Sequence, residues 1–485
     1  MRDHRAWAKE LIEQLRAHWL QGAALRPYEF CAIELGLHLM RQLAPETPIH
    51  ALWALLIGYP FPGTLPHDDD KRRMLAIARH LLPAFRSPFQ WRRALERYQT
   101  LPDHLRGYNV DADGNACQER HPTVAANRQD IYATALRQSP PYRQQRLHPA
   151  KAERLSYLDG RFWRDVDLSE VPLPQPPESH PLTPVQREPI TVDWDALIET
   201  ARWMDCETAV RRLKPQQWEQ RMNRIRLEIV DNADGKINPS RSLTIDGLFH
   251  LIGMVSSGKS TLMDVLAVWM ARTGRRTTII VGDVISALER ADRFVRLGLP
   301  AAPILGSSNR ERHLKRLHRV LAVERPFDLL AHDHHGFTWL STVCPLDALR
   351  DQPEPLDFRH YPCQKLFLHA EDKTPRACPL YSVCPSHRAQ RDLVHALIWV
   401  TTPAGFIYPS VAPQINSERI RFAELSARRS DLVIIDEADR VQVQFDAIFS
   451  PNQTLVGQGE DSWLGRLWER VVPELNTAGR GQLRE

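Results

Sequence analysis

No stretch of this sequence reaches 18 uninterrupted apolar residues, so a membrane-spanning helix is not expected. The first ten residues, Met-Arg-Asp-His-Arg-Ala-Trp-Ala-Lys-Glu, carry charges where a secretory leader needs an apolar run, which points to a cytoplasmic protein. Cysteine is scarce. Seven in 485 residues, an odd number with four of them late in the chain, exclude a disulfide framework and fit a reducing compartment with a metal site better. Neither sign of charge dominates: 63 Lys and Arg against 59 Asp and Glu leave a net +4 and a pI near 8.7, compatible with nucleic acid without demonstrating it. Internal repeats are absent too. What remains, 43% hydrophobic and 25% charged, is ordinary globular composition at a length that accommodates two to four domains.

The most informative stretch is Leu248-Phe-His-Leu-Ile-Gly-Met-Val-Ser-Ser-Gly-Lys-Ser-Thr-Leu262. It matches G-x-x-x-x-G-K-[ST] through Gly253, Gly258, Lys259 and Ser260, with an apolar strand-like run before it and a helical run, Thr261 to Met270, after it. Gly253 and Gly258 permit the positive φ values that turn backbone N–H groups inward, and the helix adds its N-terminus to the same anion. The loop amides around Ser256, Ser257 and Thr261 would cradle ATP phosphates; Lys259 would reach the β- and γ-phosphates, and the Ser260 hydroxyl would hold Mg²⁺. The bland alternative is a Gly/Ser turn between strand and helix.

Further on, Arg275 to Gly282 reads as a strand, Val284 to Leu297 as a helix, and Ala396 to Thr401 and Asp431 to Ile435 as two more strands. Strand–loop–helix–strand is the start of a parallel sheet covered by helices. The last strand runs into Asp436-Glu-Ala-Asp439, and the carboxyl end of a buried strand is where such sheets place ligand-binding side chains. Asp436 is expected to hold Mg²⁺ opposite Ser260, and Glu437 to polarise an attacking water. Taken alone, an Asp-Glu pair after an apolar strand is usually a surface loop.

Cys344, Cys363, Cys378 and Cys384 lie between these two motifs in a span rich in Pro and His, and four clustered thiols suggest one metal centre. Zinc is the competing metal, although the tightest pair, Cys378-x₅-Cys384, is wider than the usual zinc knuckle. His360, His369 and His387 are substitute ligands, and free buried cysteines are the bland reading.

Upstream, apolar residues at helical spacing predict helices over Ala6–Leu20, Tyr28–Leu43, Ile49–Ile57, Lys71–Phe85 and Trp91–Tyr98, with Trp7, Trp19, Trp53 and Trp91 as core residues and Arg and His on solvated faces. Residues 100–170 are polar and less regular, with a surface turn at Asp111-Ala-Asp-Gly114. Seven prolines between Val171 and Pro189 mark an extended linker, and Asp193 to Leu213 a helix leading into the P-loop region.

In this order, P-loop, strand from Thr277 to Val281, four cysteines, strand ending Thr401-Thr-Pro-Ala-Gly405, then Asp-Glu-Ala-x, the motifs resemble the iron–sulfur superfamily-two DNA helicases of the XPD and DinG type, over roughly residues 240–445. The resemblance implies a RecA-like α/β motor with a cysteine-ligated [4Fe-4S] insert, preceded by a mostly α-helical domain. It divides the chain into 1–170, a helical interaction domain; 171–190, the linker; 191–330 and 396–445, the two parts of the motor domain; 331–395, the insert; and 446–485, with Trp463 and Trp468, the start of a further helical insertion. It also implies single-stranded or duplex DNA as partner and a second RecA-like half supplying an arginine finger. Two departures stand out: Asp439 takes the place of the family's His, and only 46 residues follow it, so the second half is expected in another chain or a missing C-terminus, and this chain alone is expected to hydrolyse ATP poorly. An ATP- and DNA-binding scaffold or switch that does not unwind is the alternative. The appended helical domain resembles DinG-like helicases found beside prokaryotic PIWI/Argonaute (pPIWI-RE) proteins in defence loci, implying PIWI/Argonaute-type and nuclease partners; type IV CRISPR-associated DinG proteins are a neighbouring possibility. Finally, Arg310, Arg312, Lys315, Arg316 and Arg319 fall on a helix after the second strand, either as DNA phosphate contacts or as a solvated face.

Overall fold

In the computed structural model, which describes residues 2–19, 24–57, 68–111, 115–145, 147–149, 151–159, 162–174, 188–230, 235–254, 256–324, 333–350, 361–363, 365–372 and 374–450, the chain divides into two units. The first is Met1–His148 with Ser410–Arg421, and the second is Pro149–Pro409 with the chain from Phe422 onward. Most of the proline-rich stretch, Ala112 to Gly114, His360 and the tail from residue 451 lie outside the described residues.

The first unit is built from α1 (Lys9–Arg16), α2 (Pro27–Leu43), α3 (Leu52–Ile57), α4 (Asp69–Leu81), α5 (Pro88–Gln99) and α6 (Arg128–Arg137), with a short antiparallel pair, β1 (Tyr108–Val110) and β2 (Cys117–Glu119). Helix α2 starts where Pro27 presets φ at the first helical position and the Glu29 carboxylate accepts from the Arg26 N–H. Every residue from Phe30 to Met40 is buried, so this helix is the core of the unit rather than one of its faces. Trp91 is fully buried, Trp7 and Trp19 pack against the same core, and Trp53 is half-buried.

Not every Arg and His of this unit is solvated, contrary to the periodicity reading. Glu34, inside α2, accepts from Tyr98 Oη at 2.7 Å, Tyr132 Oη at 2.6 Å, the Gly107 N–H at 2.5 Å and Arg128 Nη1 at 2.9 Å, and both charged side chains are buried. Arg128 also donates to Leu105 O and Val124 O. His38 is buried against Tyr108 and Gln129. One ion pair thus ties α2, α5, α6 and the loop before β1. The polar 100–170 stretch is also more ordered than its composition implied, since it contains β1, β2 and α6 and continues through β3 (His148–Pro149) into the hairpin β4 (Arg154–Asp159) and β5 (Phe162–Asp167).

The second unit begins with that hairpin, which joins β12 (Leu366–Phe367) and β13 (Arg376–Ala377) in one antiparallel sheet, so sequence from before the linker pairs with the cysteine-bearing region. Strand β6 (Ile190–Asp193) leads into α7 (Trp194–Val210) and α8 (Trp218–Asn223), followed by the pair β7 (Leu227–Val230) and β8 (Ile237–Ser240), and β9 (Ser242–Ile245) returns to pair with β6. Next come α9 (Lys259–Arg272), β10 (Thr277–Ile280), α10 (Val284–Arg296), β11 (Ala301–Pro303), α11 (Arg310–Glu324) and α12 (His335–Trp339). After the insert, α13 (Arg388–His395), β14 (Ile398–Thr401), α14 (Pro403–Ile407), α15 (Phe422–Arg429), β15 (Leu432–Ile435) and α16 (Ala438–Phe449) complete the described chain.

The expected parallel sheet is present with the order β11-β14-β10-β15. One expectation fails. The apolar run Leu248–Ile252 is not a strand, and Leu248 and Ile252 are 85% and 92% exposed. Strands β14 and β15 already occupy both sides of β10, so a preceding strand could join only at an edge, and the chain reaches the P-loop from the antiparallel β6/β9 pair instead. No helix among the described residues is long and apolar enough to cross a membrane.

Because a buried carboxylate stripped of its cation keeps its desolvation cost, Arg128→Met is expected to lower stability by about 3–5 kcal/mol in urea unfolding, and the double variant with Glu34→Gln to recover part of that loss.

Candidate functional site

The P-loop is built by backbone geometry rather than burial. Ser256 (φ 64°) and Gly258 (φ 93°) take the left-handed conformation; Gly253, expected to do so, does not. A Cβ at 253 would lie 2.7 Å from Ser257 Oγ, a contact that rotation of the serine side chain would relieve. Lys259 opens α9 and turns its ammonium back into the loop, donating to Gly253 O and, at 2.8 Å, to Met254 O. Ser256, Ser257 and Ser260 are exposed, and Thr261 is buried. A loop closed around a lysine at a helix N-terminus can receive an anion by handing that ammonium over from carbonyl to ligand.

Asp436 and Glu437 follow β15. The Asp436 N–H donates to Ile280 O at 2.9 Å, which fixes the end of β15 against the end of β10. Glu437 caps α16 with φ 48° and ψ 58°, a left-handed conformation that non-glycine residues adopt at a cost, and its carboxylate meets Arg440 at 3.2 Å. Asp436 is joined to the P-loop helix by a residue that the motifs did not single out. Arg290 on α10 places Nη2 3.2 Å from Asp436 Oδ2, Nε 3.4 Å from Asp264 Oδ1 and Nη1 3.2 Å from Met263 Sδ. Asp264 and Met263 lie one turn beyond Lys259 and Ser260 on α9, so Lys259, Ser260 and Asp436 share one end of the sheet. Asp264 was legible in principle, as a lone acid within the buried run Leu262–Val268, where it requires a cationic partner; Arg290 and Arg293 supply it.

The four late cysteines come from three segments, around Cys344, around Cys363 and from Cys378 to Cys384, and converge. Each of the six pairs among Cys344, Cys363, Cys378 and Cys384 lies within electrostatic range. Burial, reinforced by the neighbouring thiols, raises Cys344, pushes Cys378 up to about 12 and Cys363 well above its ordinary range. None is in a disulfide, and Cys344, Cys378 and Cys384 are buried. His387 Nε2 stands 3.0 Å from Cys363 Sγ, with Nδ1 2.8 Å from Gln390 Oε1, while burial lowers His387 to about 4. This donor set, four convergent thiols, three of them buried, beside an oriented imidazole, suits a thiophilic metal or cluster. Among the described residues, no group of three or more His, Cys, Asp or Glu is drawn together tightly enough to hold a single metal ion.

The basic helix splits in two. Arg312, Lys315, Arg316 and Arg319 of α11 are exposed, with Arg316 3.8 Å from Asp283. Arg310, expected beside them, is buried at 4% exposure and bonded to the carbonyls of Gly306, Ser341 and Ser386, so it cannot meet a DNA phosphate from there.

The chain matches the family described as pPIWI RE three-gene island domain Z over residues 23–182, a stretch that holds most of the helical unit and the β4–β5 hairpin and ends before the P-loop. The match links the chain to pPIWI-RE islands. No curated protein and no solved structure matches it.

At Gly258 a Cβ would meet Ile225 Cγ1 at 2.6 Å in addition to the strain of φ 93°. Gly258→Ala is therefore expected to destabilise the second unit by about 1–3 kcal/mol in a thermal or urea melt, and Ile225→Ala in the same chain to relieve only the steric share.

Proposed function

We propose that this chain is the nucleotide- and metal-binding part of an ATP-driven DNA helicase of the XPD/DinG type, serving a pPIWI-RE island in defence. The observation that carries the reading is the bridge from Asp264 through Arg290 to Asp436, which holds the P-loop helix and the Asp-Glu pair at one end of the parallel sheet. Lys259 would transfer its ammonium from the Gly253 and Met254 carbonyls to ATP phosphates, and Ser260 and Asp436 would share Mg²⁺ once Asp436 leaves Arg290. Glu437, on its constrained turn, would take the proton of the attacking water. Cys344, Cys363, Cys378 and Cys384 would hold a [4Fe-4S] cluster. Zinc, bound by the same four thiolates with Zn–S of about 2.3 Å, is the competing occupant. Arg312, Lys315, Arg316 and Arg319 would follow the backbone of a single DNA strand. A second RecA-like half, whether elsewhere in a longer chain or in a partner, would complete the cleft.

A second reading, a nucleotide-dependent switch that binds without unwinding, is favoured by Arg290 seated on Asp436 and by the exposed apolar run before the P-loop. Nucleotide titration with turnover separates the two. The intact chain is expected to bind a fluorescent ATP analogue with Mg²⁺, and Lys259→Ala to lose about 2–3 kcal/mol, roughly 30- to 150-fold in Kd. Glu437→Gln should keep binding and lose hydrolysis. Stimulation of ATP turnover by single-stranded DNA favours the motor, binding with no turnover under any condition favours the switch, and absence of nucleotide binding rejects both.

A further inference from the structure

We infer that Arg310 and Arg391 are positioning residues of the four-cysteine site, clamping its segments together and balancing its charge, and that Arg310 thereby fixes the start of the basic helix α11 to that site. The inference rests on the metal reading above and adds residues that no cysteine spacing could indicate.

Arg310 is the first residue of α11. Its Nη1 donates to Ser341 O at 3.1 Å and to Ser386 O at 2.7 Å, and its Nε to Gly306 O at 3.2 Å. Ser341 lies three residues before Cys344, and Ser386 two residues after Cys384, so one guanidinium joins two cysteine-bearing segments more than forty positions apart in the chain. The same two segments are tied a second time by Ser386 Oγ donating to Val343 O at 2.5 Å. Arg391 on α13 performs a matching task within the Cys378–Cys384 stretch. Its Nη1 donates to Tyr381 O at 2.8 Å and Cys384 O at 2.5 Å, closing the turn between Cys378 and Cys384. Cys363 is held from a third direction, through its backbone carbonyl to the Cys378 N–H at 3.2 Å and through its Sγ to His387.

The charges agree with the geometry. Burial lowers Arg310 to about 10, and the neighbouring Cys384 and Cys363 thiols act in the opposite direction, as they would more strongly once ionised. Cys384 likewise acts on Arg391. Four thiolates around either a divalent ion or a four-iron core of charge 2+ sum to −2, and the two guanidiniums return +2, so the loaded site is neutral in an interior where an uncompensated charge would cost several kcal/mol. The clamp also has a directional consequence. Arg312, Lys315, Arg316 and Arg319 follow on the exposed turns of the helix that Arg310 anchors, so the clamp sets where that basic row begins.

The test uses the full chain purified without oxygen, with iron, zinc and acid-labile sulfide assayed and metal release to a chelator followed by absorbance. Arg310→Met is expected to release metal about 10- to 100-fold faster than the unmodified protein and, where iron is bound, to shift the reduction potential to more negative values because a nearby positive charge is gone. Arg310→Lys keeps the charge without the fork, so its potential should stay near that of the unmodified protein while release remains accelerated. Nucleotide binding by each variant reports whether the sheet has folded; should Arg310→Met fail that check, Arg310→Lys and Arg391→Met decide. Release rates and potentials equal to those of the unmodified protein in all folded variants would overturn the inference. Absence of both iron and zinc from the unmodified protein, prepared with and without supplied metal, would instead overturn the reading it rests on.

Discussion

Strand β10 is the constraint on which the α/β unit depends. It is the only strand in that sheet with the Asp-bearing strand on one side and the Thr-bearing strand on the other, and its register aligns Ile280 with both Ile435 and Thr401. The three carboxyl ends therefore stop level, and the residues just beyond them, Gly282 and Asp283, Thr402, and Asp436 with Glu437, arrive at one rim. The opposite end is locked as firmly. Arg276 donates from its backbone to Asp431 Oδ2, from Nε to Ala396 O and from Nη1 to Arg429 O, while its guanidinium lies 5.0 Å from the Trp399 ring. Thr278, Ser426 and Ser430 add a buried hydroxyl chain between β10 and the turn before β15. A slip by one residue would break all of these and exchange the residues packed on the two faces of a strand that is buried on both.

From that rim, guanidinium groups carry the connections onward. Arg290 joins the P-loop helix to Asp436, Arg310 joins α11 to the segments around Cys344 and Cys384, and Arg128 joins the helices of the first unit through Glu34. In each case a planar fork meets two or more acceptors that lie far apart in the chain, which a lysine could not do with the same precision of direction. The first unit uses its arginine to fix a helical core, and the second uses two to tie the P-loop helix to Asp436 and α11 to the cysteine-bearing segments.

How far the fold could be read in advance depended on whether the signal was local. Helices α4 and α5 were legible within a few residues because one-sided burial imposes the 3.6-residue period that their apolar positions display, and α2, buried all round, because its apolar run is too long for a strand and starts at a Pro27 signal. Strands β10 and β14 were legible because a buried parallel strand is a short apolar run, whereas β15, expected to be buried, is as apolar but lies at the sheet edge with Val433 and Ile435 exposed. The run before the P-loop carries the same signal, and there it misled: composition records that a segment can be a strand, whereas pairing depends on which neighbours of the sheet are already taken. The β4–β5 hairpin was missed for the complementary reason, since its exposed edge reads as polar loop and its partner β12 lies some two hundred residues away.

For the candidate site, the sequence by itself determined the chemistry: a glycine-bent loop with Lys259 and Ser260, an acidic pair at a strand end, four thiols between them, and a row of basic residues at helical spacing. These are properties of residue type and short-range spacing. Only the tertiary structure decided which of those groups meet. It set Asp436 against Arg290 rather than in open solvent, brought thiols from three segments into one region, and turned Arg310 inward while its neighbours stayed outside. The physical reason is that a buried ion must find its partner in space, and the partner's position along the chain places almost no limit on where that happens.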